Sequence, residues 1–298
     1  MIHVPTPSVL NKNKVIMIIC DGMRADTAFE EFGYVNSLCD NGIGIKAISI
    51  CDSPSVSRTN YTTLCNGLPA IIHGITSNLV LSKSKDRNIF EELVKHNKKT
   101  GIVGSSWFYD LYGKEDKYNY VLHKELNNND GEVINYGRFY CDDVPTSVDS
   151  SVEGLAHTFQ VSDHLIYKYS PDYLIIHLVT PDRIGHDKGI GLEYRAEINM
   201  IDKILGAVLP RWLDIYDIII TSDHGMDINH NHGGSKCDVM KAPLYILSKK
   251  GWKPDLKNIY HLDLAPMIIN RLLPNSDFES YCNALIEKNG YHRNSTCL

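Results

Sequence analysis

Seven side chains suited to metal binding or nucleophilic attack follow apolar runs of the sequence. In chain order they are Asp21, Ser57, Asp182, His186, Asp223, His224 and His232. Carboxylate oxygens and imidazole nitrogens are ligands that zinc and manganese accept in proteins. Seven such groups are too many for one tetrahedral ion and fit two ions that share a substrate. The residues therefore predict a two-metal centre with a hydroxyl beside it.

Each of these residues also has an ordinary structural explanation. An Asp-Gly pair such as Asp21-Gly22 is usually a turn when it follows a strand, and the segment 223–225 could be a turn for the same reason. His232 could be a loop histidine, and His230 competes with it as a ligand. The metal-site interpretation rests on the joint occurrence of these residues after predicted strands.

Ser57 lies at the start of a predicted helix over 58–66, which Gly67 ends. One interpretation is a helix N-cap, and position alone favours it because serine is preferred there. The other is a nucleophile, because a neighbouring metal ion lowers the pKa of a hydroxyl and a helix N-terminus attracts an anion.

Alternating strand-like and helix-like patterns must position these residues. Apolar runs typical of buried strands cover 14–20, 44–50, 100–104, 173–179, 216–221 and 243–247. Helical spacing covers 88–96, a stretch from Tyr194 that Pro210 ends, and 263–273. The alternation predicts an α/β fold, a three-layer α/β/α sandwich with a mostly parallel central sheet. Sites in such sheets form at the carboxyl ends of the strands, so the seven residues meet at one edge.

We expect a single catalytic domain over residues 1–298, with an insertion or cap over about 105–150. That segment is irregular and rich in aromatic residues, namely Trp107, Phe108, Tyr109, Tyr112, Tyr118, Tyr120, Tyr136, Phe139 and Tyr140. These side chains could form a wall of a substrate pocket. The alternative is a hydrophobic cluster that only anchors a long loop.

The composition excludes several classes of protein. The chain has 298 residues, 43% hydrophobic and 22% charged, which is typical of a soluble globular protein. Its 30 basic and 36 acidic residues give a net charge of −6, so we expect no nucleic-acid polymer as a partner. The apolar run 15–20 is too short to span a bilayer, which needs about 20 residues, so we expect no membrane association. The 8 cysteines lack metal-binding spacing, which favours reduced thiols and a cytoplasmic location.

The segments that carry these residues resemble the alkaline phosphatase superfamily. The similarity is strongest to its nucleotide pyrophosphatase/phosphodiesterase branch, also called type I phosphodiesterases. It lies in segments 54–67 and 73–78, and extends through Asp21-Gly22, 181–186, 223–226, 232–234 and 263–266. The matching segments keep the order and spacing of the family between residue 14 and about 273.

The resemblance implies a role for each matching residue. Asp21, Asp223 and His224 would hold one metal ion, and Asp182, His186 and His232 the other. Ser57 would be the nucleophile, with its oxygen on the first ion, and Asn78 would donate its amide to a phosphoryl oxygen. The implied reaction is in-line attack on phosphorus, a covalent phosphoryl-Ser57 intermediate and hydrolysis. The implied cofactors are two divalent ions, zinc first and manganese as the alternative.

This chain departs from the branch in three ways. Serine replaces the usual threonine nucleophile, and Arg58 and Thr59 replace its usual apolar or proline neighbours. We also expect the chain to lack the disulfides and extra domains of secreted relatives. Arg58 could bind a second anionic group of the substrate, although an arginine on the helix surface is the simpler interpretation.

We therefore expect a two-metal hydrolase that cleaves phosphodiester or pyrophosphate bonds of a nucleotide or another small-molecule phosphoester. The alternative within the same fold is a phosphomonoesterase or a phosphonate hydrolase of the phosphonoacetate type. Sulfate-ester hydrolysis is disfavoured, because Ser57 lacks a proline two residues later. A non-catalytic binding module is also disfavoured, because none of the expected ligands is missing. A sugar-phosphate mutase would need a larger second domain than 105–150 offers.

Overall fold

The computed structural model describes residues 13–128, 132–140, 151–293 and 297. Its strands are β1 (Val15–Cys20), β2 (Gly44–Ile50), β3 (Thr100–Ser105), β4 (Glu125–Asn127), β5 (Tyr136–Tyr140), β6 (Tyr173–Leu178), β7 (Asp217–Thr221) and β8 (Lys241–Leu247). They form one sheet in the order β2-β8-β7-β1-β6-β3-β5-β4.

Helices connect most of these strands. They are α1 (Ala25–Glu31), α2 (Gly33–Asp40), α3 (Ser57–Asn66), α4 (Ala70–His73), α5 (Ile89–Lys95), α6 (Trp107–Tyr112), α7 (Tyr120–His123), α8 (Ser151–Tyr169), α9 (Thr180–Lys188), α10 (Leu192–Trp212), α11 (Cys237–Met240), α12 (Leu264–Leu272) and α13 (Phe278–Lys288). A 3-10 turn at His261–Asp263 precedes α12. Among the described residues, no helix combines the length and the apolar character that crossing a membrane requires.

The direction of the strands brings the predicted site residues to one edge of the sheet. β1, β3, β5, β6 and β7 pair in parallel, and β2 runs the same way because two antiparallel pairings, through β8, separate it from β7. The carboxyl ends of these strands therefore point in one direction. The predicted α/β architecture is confirmed, and the sheet is mixed because β4 and β8 run antiparallel.

Alternate residues of the central strand β1 face two different helical layers. Val15, Met17 and Ile19 pack in a core that includes residues of α3, α5, α6, α12 and α13. Ile16 and Ile18 pack in a second core that includes residues of α1, α2, α8 and α10. Because both faces are covered, a strand such as β1 is apolar at every position, which explains the unbroken runs in the sequence.

The described part of segment 105–150 extends the sheet. Within the predicted insertion or cap, β5 pairs in parallel with β3, and β4 pairs with β5 at the sheet edge. The aromatic residues mostly join the cores, since Phe108, Tyr109, Tyr112, Tyr136 and Phe139 are buried. Their place in the cores favours the alternative, a hydrophobic cluster, although Phe139 also lines a cavity together with Arg138 and Tyr140.

The prediction that Pro210 ends its helix is wrong. α10 continues to Trp212, with Pro210 inside its last turn. Leu209, Trp212 and Leu213 are buried around the proline. Their burial compensates for the one backbone hydrogen bond that a proline removes.

The expectation of reduced cysteines is wrong for one pair. Cys237 and Cys297 form a disulfide, while Cys20, Cys39, Cys51, Cys65 and Cys282 are free thiols. Because 60 residues separate the pair, spacing gave no signal of it. Disulfides persist mainly in oxidising compartments, so cysteine usage no longer supports a cytoplasmic location.

Candidate active site

Asp21 and Asp223 bring two carboxylates together at the ends of β1 and β7. The backbone amide of Gly22 donates to Asp223 Oδ1 at 3.1 Å, which ties the two strand ends to each other. Gly22 has a φ of +67°, and a Cβ there would lie 2.8 Å from the backbone of Asp182. Only glycine fits this turn, because it adopts positive φ without strain and leaves room for Asp182.

Two overlapping groups of side chains could hold metal ions. Asp182, His186 and His232 form one, and Asp21, Asp182 and His224 form the other, with the ligand atoms of each group within 4.8 Å of one another. Asp182 belongs to both groups. Asp223 joins the second through its Oδ2, which lies 3.2 Å from His224 Nε2. The structure thus brings together all six metal-ligand candidates.

The three imidazoles turn the same nitrogen towards the centre. In each ring Nδ1 donates to a backbone carbonyl, namely His186 to His230, His224 to Gly225 and His232 to Ser55, at 2.8–2.9 Å. This fixes the tautomer and leaves the Nε2 lone pair facing the site. His230 contributes its backbone rather than its imidazole to this arrangement.

The site concentrates carboxylate oxygens and imidazole lone pairs that a cation would neutralise. His186 Nε2 and His232 Nε2 lie 3.0 Å apart, and each is 3.5 Å from Asp182 Oδ1. Asp223 Oδ2 is buried and accepts no hydrogen bond from the described residues. Burial and the neighbouring Asp21 raise the pKa of Asp223 well above its usual range. Converging lone pairs and carboxylates repel one another, so the donor set fits divalent metal ions.

Burial also keeps the imidazoles neutral. It lowers the pKa of His232 to about 4, and burial together with His232 lowers the pKa of His224 well below its usual range. Neutral imidazole is the form that binds a metal.

Ser57 faces this centre from the first turn of α3. Its Oγ lies 3.3 Å from His224 Nε2. The N-cap residue of α3 is Val56, without a side-chain cap, so the N-cap interpretation of Ser57 is wrong. Gly67 ends the helix with a φ of +68°, as the sequence predicted.

Asn78 and Arg58 lie next to Ser57. Asn78 Oδ1 accepts a hydrogen bond from the backbone amide of Arg58 at 3.0 Å. The Arg58 side chain is only 1% exposed, so the helix-surface interpretation is wrong. Its guanidinium lies 3.4 Å from Asp110 Oδ2 and 5.5 Å from the centre of the Trp107 ring.

Sequence reasoning missed a hydrogen-bond chain behind Asp21. Tyr61 Oη donates to Asp21 Oδ2, and His177 Nε2 lies 3.1 Å from the same oxygen. No local pattern assigns a partner to His177, because its neighbours come from distant segments. The signal that could have found it is a histidine inside an otherwise apolar strand, β6.

Residues 15–263 match the family model described as type I phosphodiesterase / nucleotide pyrophosphatase, and the chain belongs to this family. The family resemblance found in the sequence is thereby confirmed.

Curated relatives include two yeast enzymes. The chain is 25% identical over 272 residues to GPI ethanolamine phosphate transferase 3 of Saccharomyces cerevisiae, covering 84% of this chain and 25% of the relative. It is 27% identical over 252 residues to GPI ethanolamine phosphate transferase 2 of Candida albicans, covering 80% and 26%. The chain thus spans about a quarter of the length of these relatives.

Solved structures share the fold. Alkaline phosphatase from the Antarctic bacterium TAB5 superposes with a TM-score of 0.60 at 15% identity, covering 90% of this chain and 100% of that one. An inactive variant of murine ectonucleotide pyrophosphatase / phosphodiesterase 5, in complex with AMP, gives 0.60 at 16% identity, covering 91% and 99%. At these identities the similarity establishes the architecture alone.

Proposed function

We propose that the chain cleaves a phosphodiester or pyrophosphate bond of a small phosphoester, with Ser57 as nucleophile and two divalent metal ions as cofactors. The observation that carries this proposal is the position of Ser57 Oγ, 3.3 Å from His224 Nε2 at the edge of the metal-ligand cluster. Zinc is our first choice, because imidazole and carboxylate ligands suit it, and manganese is the second.

The ligands divide into two sets in this proposal. Asp21, Asp223 and His224 hold one ion, close to Ser57. Asp182, His186 and His232 hold the other. When bound, the ions lower the pKa of the attacking hydroxyl and neutralise charge on the phosphoryl oxygens.

The residues of the chain then carry two chemical steps. The Ser57 hydroxyl loses its proton to solvent, Oγ attacks phosphorus in line with the leaving group, the phosphorus–oxygen bond to that group breaks, and a phosphoryl-Ser57 ester forms. The N-terminus of α3 lies beside Ser57 and favours the negative charge of the phosphoryl group. Asn78 holds the first turn of α3 through Arg58 and presents its amide to a phosphoryl oxygen. In the second step an acceptor oxygen attacks phosphorus and releases Ser57.

The acceptor separates two candidate functions. Water as acceptor makes the chain a hydrolase, which the family description supports. An alcohol as acceptor makes it a phosphoester transferase. The curated relatives favour this second candidate, because their names describe ethanolamine phosphate transfer. Both use the same phosphoryl-Ser57 ester.

A substrate panel tests the proposal. We would measure p-nitrophenol release from bis-p-nitrophenyl phosphate, p-nitrophenyl phosphate, a p-nitrophenyl phosphonate ester and p-nitrophenyl sulfate, with Zn²⁺ and with Mn²⁺. We expect the diester to react fastest and the sulfate not to react. Faster turnover of the monoester or the phosphonate would favour those activities instead. No turnover of any substrate by protein that retains two ions would contradict the proposal.

Adding ethanolamine or glycerol to the diester reaction separates the two acceptors. Mass spectrometry of the products distinguishes a monoester, the product of water, from a new diester, the product of the alcohol. A new diester that rises with alcohol concentration would identify a transferase.

A further inference from the structure

A buried hydrogen-bond chain runs from Asp21 away from the metal-ligand cluster. Tyr61 Oη donates to Asp21 Oδ2, and His177 Nε2 lies 2.7 Å from Tyr61 Oη and 3.1 Å from Asp21 Oδ2. On the other side of the His177 ring, Tyr140 Oη lies 2.6 Å from Nδ1 and 2.9 Å from the His177 carbonyl oxygen. These hydrogen bonds therefore join α3, the end of β1, β6 and β5.

One arrangement of protons satisfies the contacts to Asp21 Oδ2. The Tyr140 hydroxyl has one proton for two acceptors, His177 Nδ1 and the His177 carbonyl oxygen. When Tyr140 donates to Nδ1, His177 carries its proton on Nε2 and donates towards Tyr61 Oη and Asp21 Oδ2, and Tyr61 donates to Asp21 Oδ2. One oxygen of Asp21 is thus held from behind. The other oxygen, Oδ1, lies 3.5 Å from His224 Nε2 at the metal-ligand cluster.

Packing restricts the movement of the side chains in this hydrogen-bond chain. Tyr61 is 1% exposed and His177 is fully buried. The ring of Phe108 stacks on Tyr61 with centroids 4.6 Å apart and contacts His177 edge-on at 5.5 Å. Gly104 lies against His177, where a Cβ would be 2.7 Å from the histidine Cβ.

Tyr61 also connects this chain to the nucleophile. It follows Ser57 by four residues on α3, so both side chains lie on the same face of the helix. The contact that holds Asp21 thereby fixes the position of the Ser57 hydroxyl relative to the end of β1.

We propose that Tyr61, His177 and Tyr140 are positioning residues that hold Asp21 in the orientation needed to bind the first metal ion. This inference rests on the proposed two-metal function. Hydrogen bonds to a ligating carboxylate orient it, and their loss typically costs about 10-fold to 100-fold in metal affinity. The hydrogen-bond chain acts on one of the two metal-binding sets, because its contacts reach Asp21 and not His186 or His232.

The test measures zinc affinity by titration calorimetry. Metal is first removed from the full chain with a chelator, and the metal-free protein is then titrated with Zn²⁺ alone. We expect the wild type to bind two ions. Tyr61→Phe and His177→Asn should weaken one of them by about 10-fold or more and leave the other unchanged. Tyr140→Phe is a milder variant, and its effect should be smaller and on the same ion. Saturating zinc should restore kcat in Tyr61→Phe without a change in KM.

Tyr112→Phe is the matched control. Tyr112 is buried on α6, and its hydroxyl lies 3.1 Å from Asn66 Oδ1 and 3.5 Å from the Tyr61 carbonyl oxygen. Both contacts reach α3 without reaching Asp21. Tyr112→Phe should bind both ions as the wild type does. Equal zinc affinities in the wild type and in Tyr61→Phe, with two ions bound, would overturn this inference alone. A wild type that binds no zinc would overturn the proposed function, and this inference with it.

Discussion

Ser57 Oγ and His224 Nε2 lie 3.3 Å apart although 167 residues separate them in the chain. His224 Nδ1 lies 2.9 Å from the Gly225 carbonyl and donates to it, so Nε2 can only accept a proton or bind a metal. The Ser57 hydroxyl is therefore oriented by a metal-ligand candidate and not by the backbone of its own helix. This contact supports the proposed role of Ser57 as a nucleophile.

Replacement of Ser57 by Ala should lower turnover of the diester by about a thousandfold or more, because a covalent step loses its nucleophile. Ser57→Thr should retain part of the activity, since threonine keeps the hydroxyl. Steady-state rates and intact-mass spectra of the phosphoryl adduct check both variants. Rates like those of the wild type from Ser57→Ala would show that water attacks the substrate directly.

His232 and His230 should differ sharply in their effect on metal content. His232 Nε2 faces Asp182, whereas His230 contributes its backbone carbonyl to His186. His232→Ala should therefore lose one bound ion and most activity, while His230→Ala should keep two ions. Elemental analysis of both variants after dialysis measures this. The reverse pattern would move the ligand to His230.

Arg58 should affect substrates that carry a second anionic group. Its Nε and Nη2 are buried and have no hydrogen-bond partner among the described residues. A charge-assisted hydrogen bond is worth roughly 1.5–3 kcal/mol, so Arg58→Met should raise KM about tenfold or more for a nucleoside diphosphate ester. KM for bis-p-nitrophenyl phosphate should stay nearly unchanged.

Arg138→Met is the control for that measurement. The Arg138 guanidinium donates to the Leu126 carbonyl and to Asn127 Oδ1 at the sheet edge. It should change KM for neither substrate. Equal losses on both substrates in Arg58→Met would instead assign Arg58 a purely structural role.

The strands and the site edge could be predicted because local patterns encode them. A strand covered on both faces needs apolar residues throughout, so β1 and, apart from His177, β6 appear directly in the sequence. The prediction of a buried strand over 44–50 is wrong in its burial, because β2 lies at an edge of the sheet and leaves Lys46 and Ile48 exposed. Parallel strands then bring whatever follows them to one edge, which grouped Asp21, Asp182 and Asp223 correctly.

Other features depend on contacts between distant segments, which no local pattern shows. β4 and β5 are short, and β5 is placed by its pairing with β3 while β4 is placed by its pairing with β5. His177 is placed by Tyr61 and Tyr140, each from another element. Pro210 stays inside α10 because the tertiary core holds Trp212, an effect that outweighs local helix propensity.

Acid should destabilise the metal-free protein through His73. Its Nδ1 accepts from the Ile75 amide and its Nε2 lies 3.1 Å from Thr63 Oγ1, so both nitrogens are committed in the neutral form. Burial lowers the pKa of His73 to about 3, against about 6.5 for an unfolded chain. Between these values the unfolded state binds the extra proton, so stability falls as the pH drops below about 6.5. From pH 7 to pH 5 this one residue should remove about 2 kcal/mol of unfolding free energy.

Urea unfolding in chelator at pH 7 and at pH 5 measures this effect in the wild type and in His73→Asn. Asparagine keeps an acceptor for the Ile75 amide but does not titrate. The variant should have a lower unfolding free energy than the wild type at pH 7, because it loses packing. This difference in unfolding free energy should shrink by about 2 kcal/mol at pH 5, since only the wild type then loses the His73 contribution. His157→Asn, at an exposed position on α8, is the control for the replacement of a histidine by asparagine. A deficit of His73→Asn that does not change with pH would show that His73 takes up its proton equally in the folded and unfolded states.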